Sequence, residues 1–465
     1  MLNPKRLPPG GAFFVIACLF GAWSQVASAH GRPPSIQELR FHPSDPQRIV
    51  GEATWGLVFS DDGGQSWGWI CAAAYGVDAR MEDPHVAWGA DGSILLGTFN
   101  GLYGSAEGCA WDPDPAFVES WVVAVGRVGD AQYAVESRVF EGDRLWRLDA
   151  GAWSTRGDVL DGLVIETLQI APSDGEVVYL GGLRPRTAEQ ARGAFVVRSF
   201  DGGDTLERFE IPVRNEEFSA HVLGVHPDDP REVWAVVVTF DGEMAAERVL
   251  VSTNGGRDWS TRHTVPQVGG FAFGSDGRLW VGSKLGGLWS SEDGGRSWRM
   301  QHDVAVRCLA QHGDALWVCT DQSRDGFALA VMAGDVLEPV LELSALTEPR
   351  ACAECSEVGI ICPAWLPDVA FDLGLDYDAL GIDPPMLNPD GGVGLPREVV
   401  LPEACGGPPT EKPGDCGCSA PGVSSRTSRS RSAWLLAWGW IYWRRRMKAK
   451  PSSASSPSPP DVPAA

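Results

Sequence analysis

From about residue 35 to residue 340 the chain is a succession of short apolar runs separated by turn-forming clusters. Val177-Val178-Tyr179-Leu180, Val233-Trp234-Ala235-Val236 and Leu279-Trp280-Val281-Gly282 are examples, bounded by Gly, Pro, Asp or Ser. Runs of that length, rich in β-branched and aromatic residues, predict strands. They recur in a fixed order. A first strand runs into a Pro/Asp turn, as in Phe41-His42-Pro43-Ser44-Asp45-Pro46, Ile170-Ala171-Pro172-Ser173-Asp174-Gly175 and Val225-His226-Pro227-Asp228-Asp229-Pro230. A second and a third strand follow, and a turn of distinctive composition joins the third to a fourth.

The first copy of that turn is Ser60-Asp61-Asp62-Gly63-Gly64-Gln65-Ser66-Trp67, with Ser60, Asp62, Gly64 and Trp67 as its marks. Ser291, Asp293, Gly295 and Trp298 repeat it closely; Ser252, Asn254, Gly256 and Trp259 repeat it with Asn for Asp, and Ser199, Asp201 and Gly203 repeat it with Leu206 in place of the Trp. The chemistry is that of a hairpin. Gly supplies backbone angles other residues avoid, Ser and Asp side chains bond nearby main-chain groups, and the Trp packs beneath. Decayed copies stand at Ser105-Ala106-Glu107-Gly108-Cys109-Ala110-Trp111 and Asp149-Ala150-Gly151-Ala152-Trp153, and a last unit from Leu309 to about Val340 has no such turn.

Turn positions near 60, 105, 147, 199, 252, 291 and 331 give seven units, spaced close to the roughly 45 residues of a propeller blade. The predicted fold is therefore all-β, a β-propeller of about seven four-stranded blades over residues 30–344. With 20 Trp, 56 Gly and 34 Pro, the composition favours many strands and tight turns over long helices. Residues 345–406 break the rhythm and predict an irregular Cys/Pro-rich extension packed on the propeller; 407–432 read as linker, 433–450 as a short apolar segment with an Arg cluster, and 451–465 as a disordered Ser/Pro tail.

The repeated turn resembles the Asp-box, Ser-x-Asp-x-Gly-x-Thr-Trp, of BNR-like repeat propellers. Because sialidases carry Asp-boxes, that resemblance raises the question of catalysis. Sialidases use three arginines, a Tyr nucleophile activated by Glu, and an Asp acid/base. Here Tyr75, Tyr103, Tyr133, Tyr179, Tyr377 and Tyr442 are the whole tyrosine supply, and Arg32-Pro33-Pro34 is the nearest approach to the Arg-Ile-Pro motif that should precede the first box. No Ser/His/Asp signature, phosphate loop or His-x-x-x-His pair stands in for them. The box carboxylates Asp62, Asp201 and Asp293 read as hairpin stabilisers, and the Trp residues as blade core rather than a sugar platform.

The first 29 residues predict a secretory signal: Lys5 and Arg6, an apolar stretch from Gly11 to Trp23, then Ala27-Ser28-Ala29 as the cleavage site. A rival lipoprotein-type box at Val15-Ile16-Ala17-Cys18 also implies export. Ten cysteines remain in the exported chain, so disulfides are expected. Cys71 and Cys109 lie in neighbouring units and Cys308 and Cys319 flank one hairpin, which makes Cys71 with Cys109 and Cys308 with Cys319 the first expected pairs. Cys352, Cys355 and Cys362 have a spacing open to zinc, with disulfides favoured in an oxidising compartment.

The tail resembles the myxobacterial sorting signal called MYXO-CTERM, on Cys416-Gly417-Cys418, the apolar block Ala433 to Tyr442 and Arg444-Arg445-Arg446. That resemblance implies processing and surface anchoring, with Cys416 or Cys418 as the attachment point. The block falls short of the roughly 20 residues that span a bilayer, which leaves a membrane-touching tail as the alternative. As a whole the chain is similar to uncharacterised myxobacterial secreted proteins with Asp-box propellers, its start matching over Arg32-Pro33-Pro34 through Trp67-Gly68-Trp69-Ile70-Cys71. Plant photosystem assembly propellers and the sortilin ectodomain share the architecture, and both are binding proteins.

A formal charge of −23 argues against nucleic acid as a partner. No cofactor is indicated, although an acidic surface leaves room for structural calcium. The expected function is that of a non-catalytic, exported, cell-surface module binding a protein or a surface polysaccharide, touching membrane only through its C-terminal tail. The alternative is a divergent glycoside-active enzyme with unassigned acids.

Overall fold

A computed structural model describes residues 33–385, apart from 78–82, 139–140, 189, 215 and 240–244, together with 403–405. The signal segment, Cys416, Cys418 and the whole tail lie outside the described residues.

Seven antiparallel sheets of four consecutive strands make seven blades of a β-propeller. The first strand of each blade is its innermost: Ile36–Phe41, His85–Trp88, Trp121–Val128, Val164–Ala171, Glu217–Val225, Val268–Phe273 and Val306–His312. Each packs beside the next, and the seventh packs against the first, so the ring closes around a central channel. The expected order of four consecutive strands holds in all seven blades, while the full Ser/Asp turn between third and fourth strands forms in the first, fourth, fifth and sixth.

Strands in the middle of a blade have a sheet on both faces, so their alternation of burial disappears. Ile49–Ala53 and Gly56–Ser60 are buried at every position, as a sheet covered on both sides requires. Fourth strands are the most exposed, as in Arg299–His302, which has no buried residue; the exception is Gly68–Cys71 of blade 1, buried at three of its four positions. Trp69, Trp234, Tyr133 and Tyr179 are among the largest fully buried side chains, and they sit between blades. Tyr133 and Tyr179 each send a hydroxyl to the following blade, donating to the carbonyls of Gly175 (2.9 Å) and Pro230 (2.8 Å).

The ring is closed without a shared strand: blade 1 is built wholly from the start of the propeller and blade 7 wholly from its end. Closure is reinforced from outside. After blade 7 the chain turns back along the outer strand of blade 1, Gly68–Cys71, where Arg350 N donates to the carbonyl of Trp69 at 2.8 Å. It then forms a 17-residue helix, Glu357–Leu373, where the sequence predicted irregular structure. Pro363 and Pro367 inside that helix disguise it, while Ser356 caps its start by accepting from Gly359 N and Gly374 ends it in the left-handed conformation. Val358, Val369 and Ala370 pack with Ile70, Tyr75 and Trp111 of blades 1 and 2.

Two disulfides fix this belt, and they correct the expected pairing. Cys71 bonds Cys362 and Cys109 bonds Cys352, not each other. The reason is the return of the extension, which brings a half-cystine to each. Cys308–Cys319 forms as expected, across directly paired strands, and Cys355–Cys405 accounts for the remaining described cysteines, so the three that invited a zinc reading are all in disulfides.

Candidate binding site in the central channel

The four box turns share one hydrogen-bond scheme. In the first, Ser60 Oγ donates to Asp62 Oδ1 (2.8 Å) and accepts from Gly64 N (2.8 Å), Asp62 Oδ1 accepts from Ser66 N (2.8 Å), and Trp67 Nε1 donates to the Gly64 carbonyl (3.0 Å). Ser199, Asp201 and Gly203, then Ser252, Asn254, Gly256 and Trp259, then Ser291, Asp293, Gly295 and Trp298 reproduce it. Backbone hydrogen bonds from Ser297 and others hold the Asp293 carboxyl down to about 2. At Gly64 and Gly295 a side chain would collide with Trp317 and Trp234 of the preceding blade. These turns lie between third and fourth strands, away from the channel.

The channel has two chemically different ends. Its head, where the inner strands begin, is dense in titratable groups: Glu38, Asp83, His85, Glu166, His221, Glu247, Lys284, Arg307 and Asp321. Most are mutually engaged. Arg307 pairs with Asp321 at 2.5 Å, His221 Nε2 meets Glu166 at 3.0 Å, and Arg40 pairs with Glu38. At the start of the fifth inner strand, Glu217 and Arg248 form a buried two-pronged pair, with 2.6 Å contacts. Burial pushes Lys284 and His85 down, and burial followed by the charge of Glu38 pushes Glu52 well above the carboxylate range.

Several head carboxylates have a common structural task. Glu52 accepts from Val86 N (2.6 Å), Asp143 from Ile165 N (2.7 Å) and Glu247 from Val268 N (2.7 Å). In each case an acid inside one blade satisfies an N–H near the start of the next blade's inner strand. Inner strands of six blades carry a register shift near their start, and a bulge leaves an amide without a ladder partner, as at Ile165 and Val268; His85–Trp88, which holds Val86, pairs without a shift. Sequence reasoning missed these residues; the available signal was an acid inside an apolar strand, as in Ile49-Val50-Gly51-Glu52-Ala53.

None of the five described tyrosines lies on an inner strand. Tyr133 and Tyr179 are spent between blades with phenols pushed up to about 12 by burial, Tyr75 and Tyr103 belong to the core around the belt, and Tyr377 is on the extension.

The foot of the channel, where the inner strands of blades 1 to 4 end, opens a cavity of about 530 Å³. Arg40, Trp88, Arg127 and Gln169 line it together with aliphatic side chains. Phe41, from the recurring Pro/Asp turn, also reaches its wall. Among the described residues no group of three or more His, Cys, Asp or Glu could hold a metal ion, and no helix is long and apolar enough to cross a membrane.

No family model matches the chain, and no curated protein matches it. Solved structures do. A GH74 enzyme from Niastella koreensis is 12% identical with a TM-score of 0.31, over 64% of this chain and 61% of that one. An extracellular domain assigned to a one component system of B. thetaiotaomicron is 13% identical with a TM-score of 0.45, over 65% and 38%. YCF48 bound to D1 peptide is 16% identical with a TM-score of 0.42, over 62% and 89%. The chain thus spans about three-fifths of the hydrolase and two-fifths of the sensor domain. Likeness at this level carries no functional weight.

Proposed function

We propose that this chain is an exported, non-catalytic recognition propeller with an Asp-box frame, which binds a protein or a surface polysaccharide. The carrying observation is the engagement of the head carboxylates: Glu52 and Glu247 hold seam amides, Asp321 and Glu38 pair with arginine, and Glu166 holds Ser219 and His221. An acid fixed in that way is poorly placed to cycle a proton with a substrate. Four disulfides among the described residues support export, because such bonds persist in oxidising compartments. Anchoring through Cys416 or Cys418 remains part of the proposal and is read by mass spectrometry of the tail.

One observation favours the enzymatic alternative. Burial, followed by the charge of Glu38, raises the Glu52 carboxyl well above its ordinary value, and a general acid needs a raised pKa. Yet Glu52 is buried and accepts from Val86 N at 2.6 Å, whereas glycosidase carboxyls flank a substrate at about 5 to 9.5 Å from one another. Glu52 therefore fits the task of satisfying a seam amide better than glycoside cleavage.

The test is capture. The mature chain, immobilised, is exposed to surface extract from the producing organism, divided into protease-treated and periodate-treated halves. Loss of capture after protease alone identifies a protein partner, and loss after periodate alone a glycan. Release of reducing sugar from the glycan, abolished in Glu52→Gln, would overturn the non-catalytic reading.

A further inference from the structure

The cavity at the foot of the channel is opposite in sign to the molecule around it. The chain carries 61 acidic residues against 38 Lys and Arg, yet the cavity's lining includes Arg40 and Arg127 and no acid. The two guanidiniums are not equivalent. Arg40 shares its charge with Glu38 and donates Nε–H to the Val86 carbonyl at 3.3 Å. Arg127 makes no ion pair among the described residues, and its Nε is buried without a hydrogen-bond partner. Its charge is felt at Asp91 and His42 nearby, but neither lines the cavity. No ion pair or hydrogen bond engages the terminal nitrogens of Arg127 among the described residues, so an occupant that brings a carboxylate to them displaces no partner and gains a charge-assisted contact.

The rest of the lining limits the occupant. Phe41, Trp88, Leu168 and Ile170 make much of the wall apolar, and Gln169 adds one neutral polar group. One guanidinium of the lining makes no ion pair among the described residues, which suits a monoanion; a phosphate dianion would bring a second charge into a half-apolar space. A volume of about 530 Å³ lies within the ligand-pocket range of roughly 300 to 1,000 Å³.

We propose that this cavity binds a small cyclic carboxylate, its carboxylate on Arg127 with Arg40 beside it and its ring against the apolar wall. The proposal rests on reading the propeller as a binding module, and gives that module a ligand class. Two sources share the chemistry: a free aromatic acid and an acidic sugar of a polysaccharide.

Calorimetry on the full chain separates them, with benzoate, galacturonate and neutral benzamide as probes. At least one of the two acids is expected to bind at about 1 mM or tighter, with benzamide much weaker than benzoate if the aromatic acid binds. Benzoate alone points to the free acid and galacturonate alone to the sugar. Arg127→Gln is expected to weaken the binding acid about tenfold or more, and Arg127→Lys to retain part of it by keeping charge without the planar fork. If Arg127→Gln does not fold, Arg127→Lys carries the test, and wild-type affinity in that variant counts against the site. Binding by neither acid, benzamide binding as well as benzoate, or unchanged affinity in a folded Arg127→Gln overturns the proposal. Macromolecular capture that survives these failures refutes this ligand class and leaves the recognition role standing.

Discussion

One hydroxyl accounts for much of the box turn's stability. Ser60 is buried, and its Oγ is the acceptor for the buried Gly64 N–H. Ser60→Ala removes that acceptor and is expected to cost about 1–3 kcal/mol, read as a lowered urea midpoint, whereas Ser66→Ala at the exposed rim of the same turn should cost markedly less. These residues were legible in the sequence because the bonds made by the Ser60, Asp62 and Trp67 side chains within the turn span four positions or fewer. His263 was not. Its ring lies against Trp298 and Trp289 at centroid distances of 4.9 and 5.0 Å, neighbours supplied by the next blade. Burial there holds it down to about 4 from an ordinary 6.5. The unfolded chain therefore takes up this proton first, so stability is full above about pH 6.5 and declines as pH falls toward 4. In Phe or Gln variants at position 263 that segment of the pH–stability curve should flatten.

At the scale of the strand, the seam between blades sets the demands. Glu52 has to satisfy Val86 N–H, yet burial and Glu38 make its charge unwelcome. Its folded pKa is raised above 4.5, so the unfolded chain ionises more readily and the folded state loses stability as pH rises beyond that value. Glu52→Gln keeps an acceptor for Val86, offers an amide donor to Glu38 and carries no charge; at neutral pH it is expected to melt at or above the wild-type temperature. Glu52→Ala, which strands the amide, should melt lower, by the equivalent of about 1–3 kcal/mol. Strand order and blade number could be read from the sequence because apolar runs and turn residues are local signals. The acid's partner could not, since it belongs to the next blade, and the helix Glu357–Leu373 escaped because Pro363 and Pro367 are helix breakers by propensity. The foot cavity was half legible: Phe41 stands in a recurring turn, but nothing local marks Arg127 as its companion.

For the whole molecule, stability depends on how a ring without a shared strand is kept shut. The chain-entropy estimate for a cross-link closing a loop beyond 100 residues is about 5 kcal/mol, against about 3 for a short hairpin. Cys71–Cys362 spans 291 positions and Cys308–Cys319 spans 11. Removing the first pair should therefore lower the melting temperature more than removing the second. Removing Cys109–Cys352 as well should add less than its own share, because the belt has already been loosened. Thermal melts of the three variants, with and without reductant, check that order.

The belt also imposes a timetable on biosynthesis. Cys71 and Cys109 are made 291 and 243 residues ahead of their partners, an interval of tens of seconds at about 5–20 residues per second. Until the last segment is complete, the nearest thiol available to each is the other. A wrong bond between these two early cysteines is therefore the first trap on the pathway, and a thiol reshuffling catalyst is the natural escape from it.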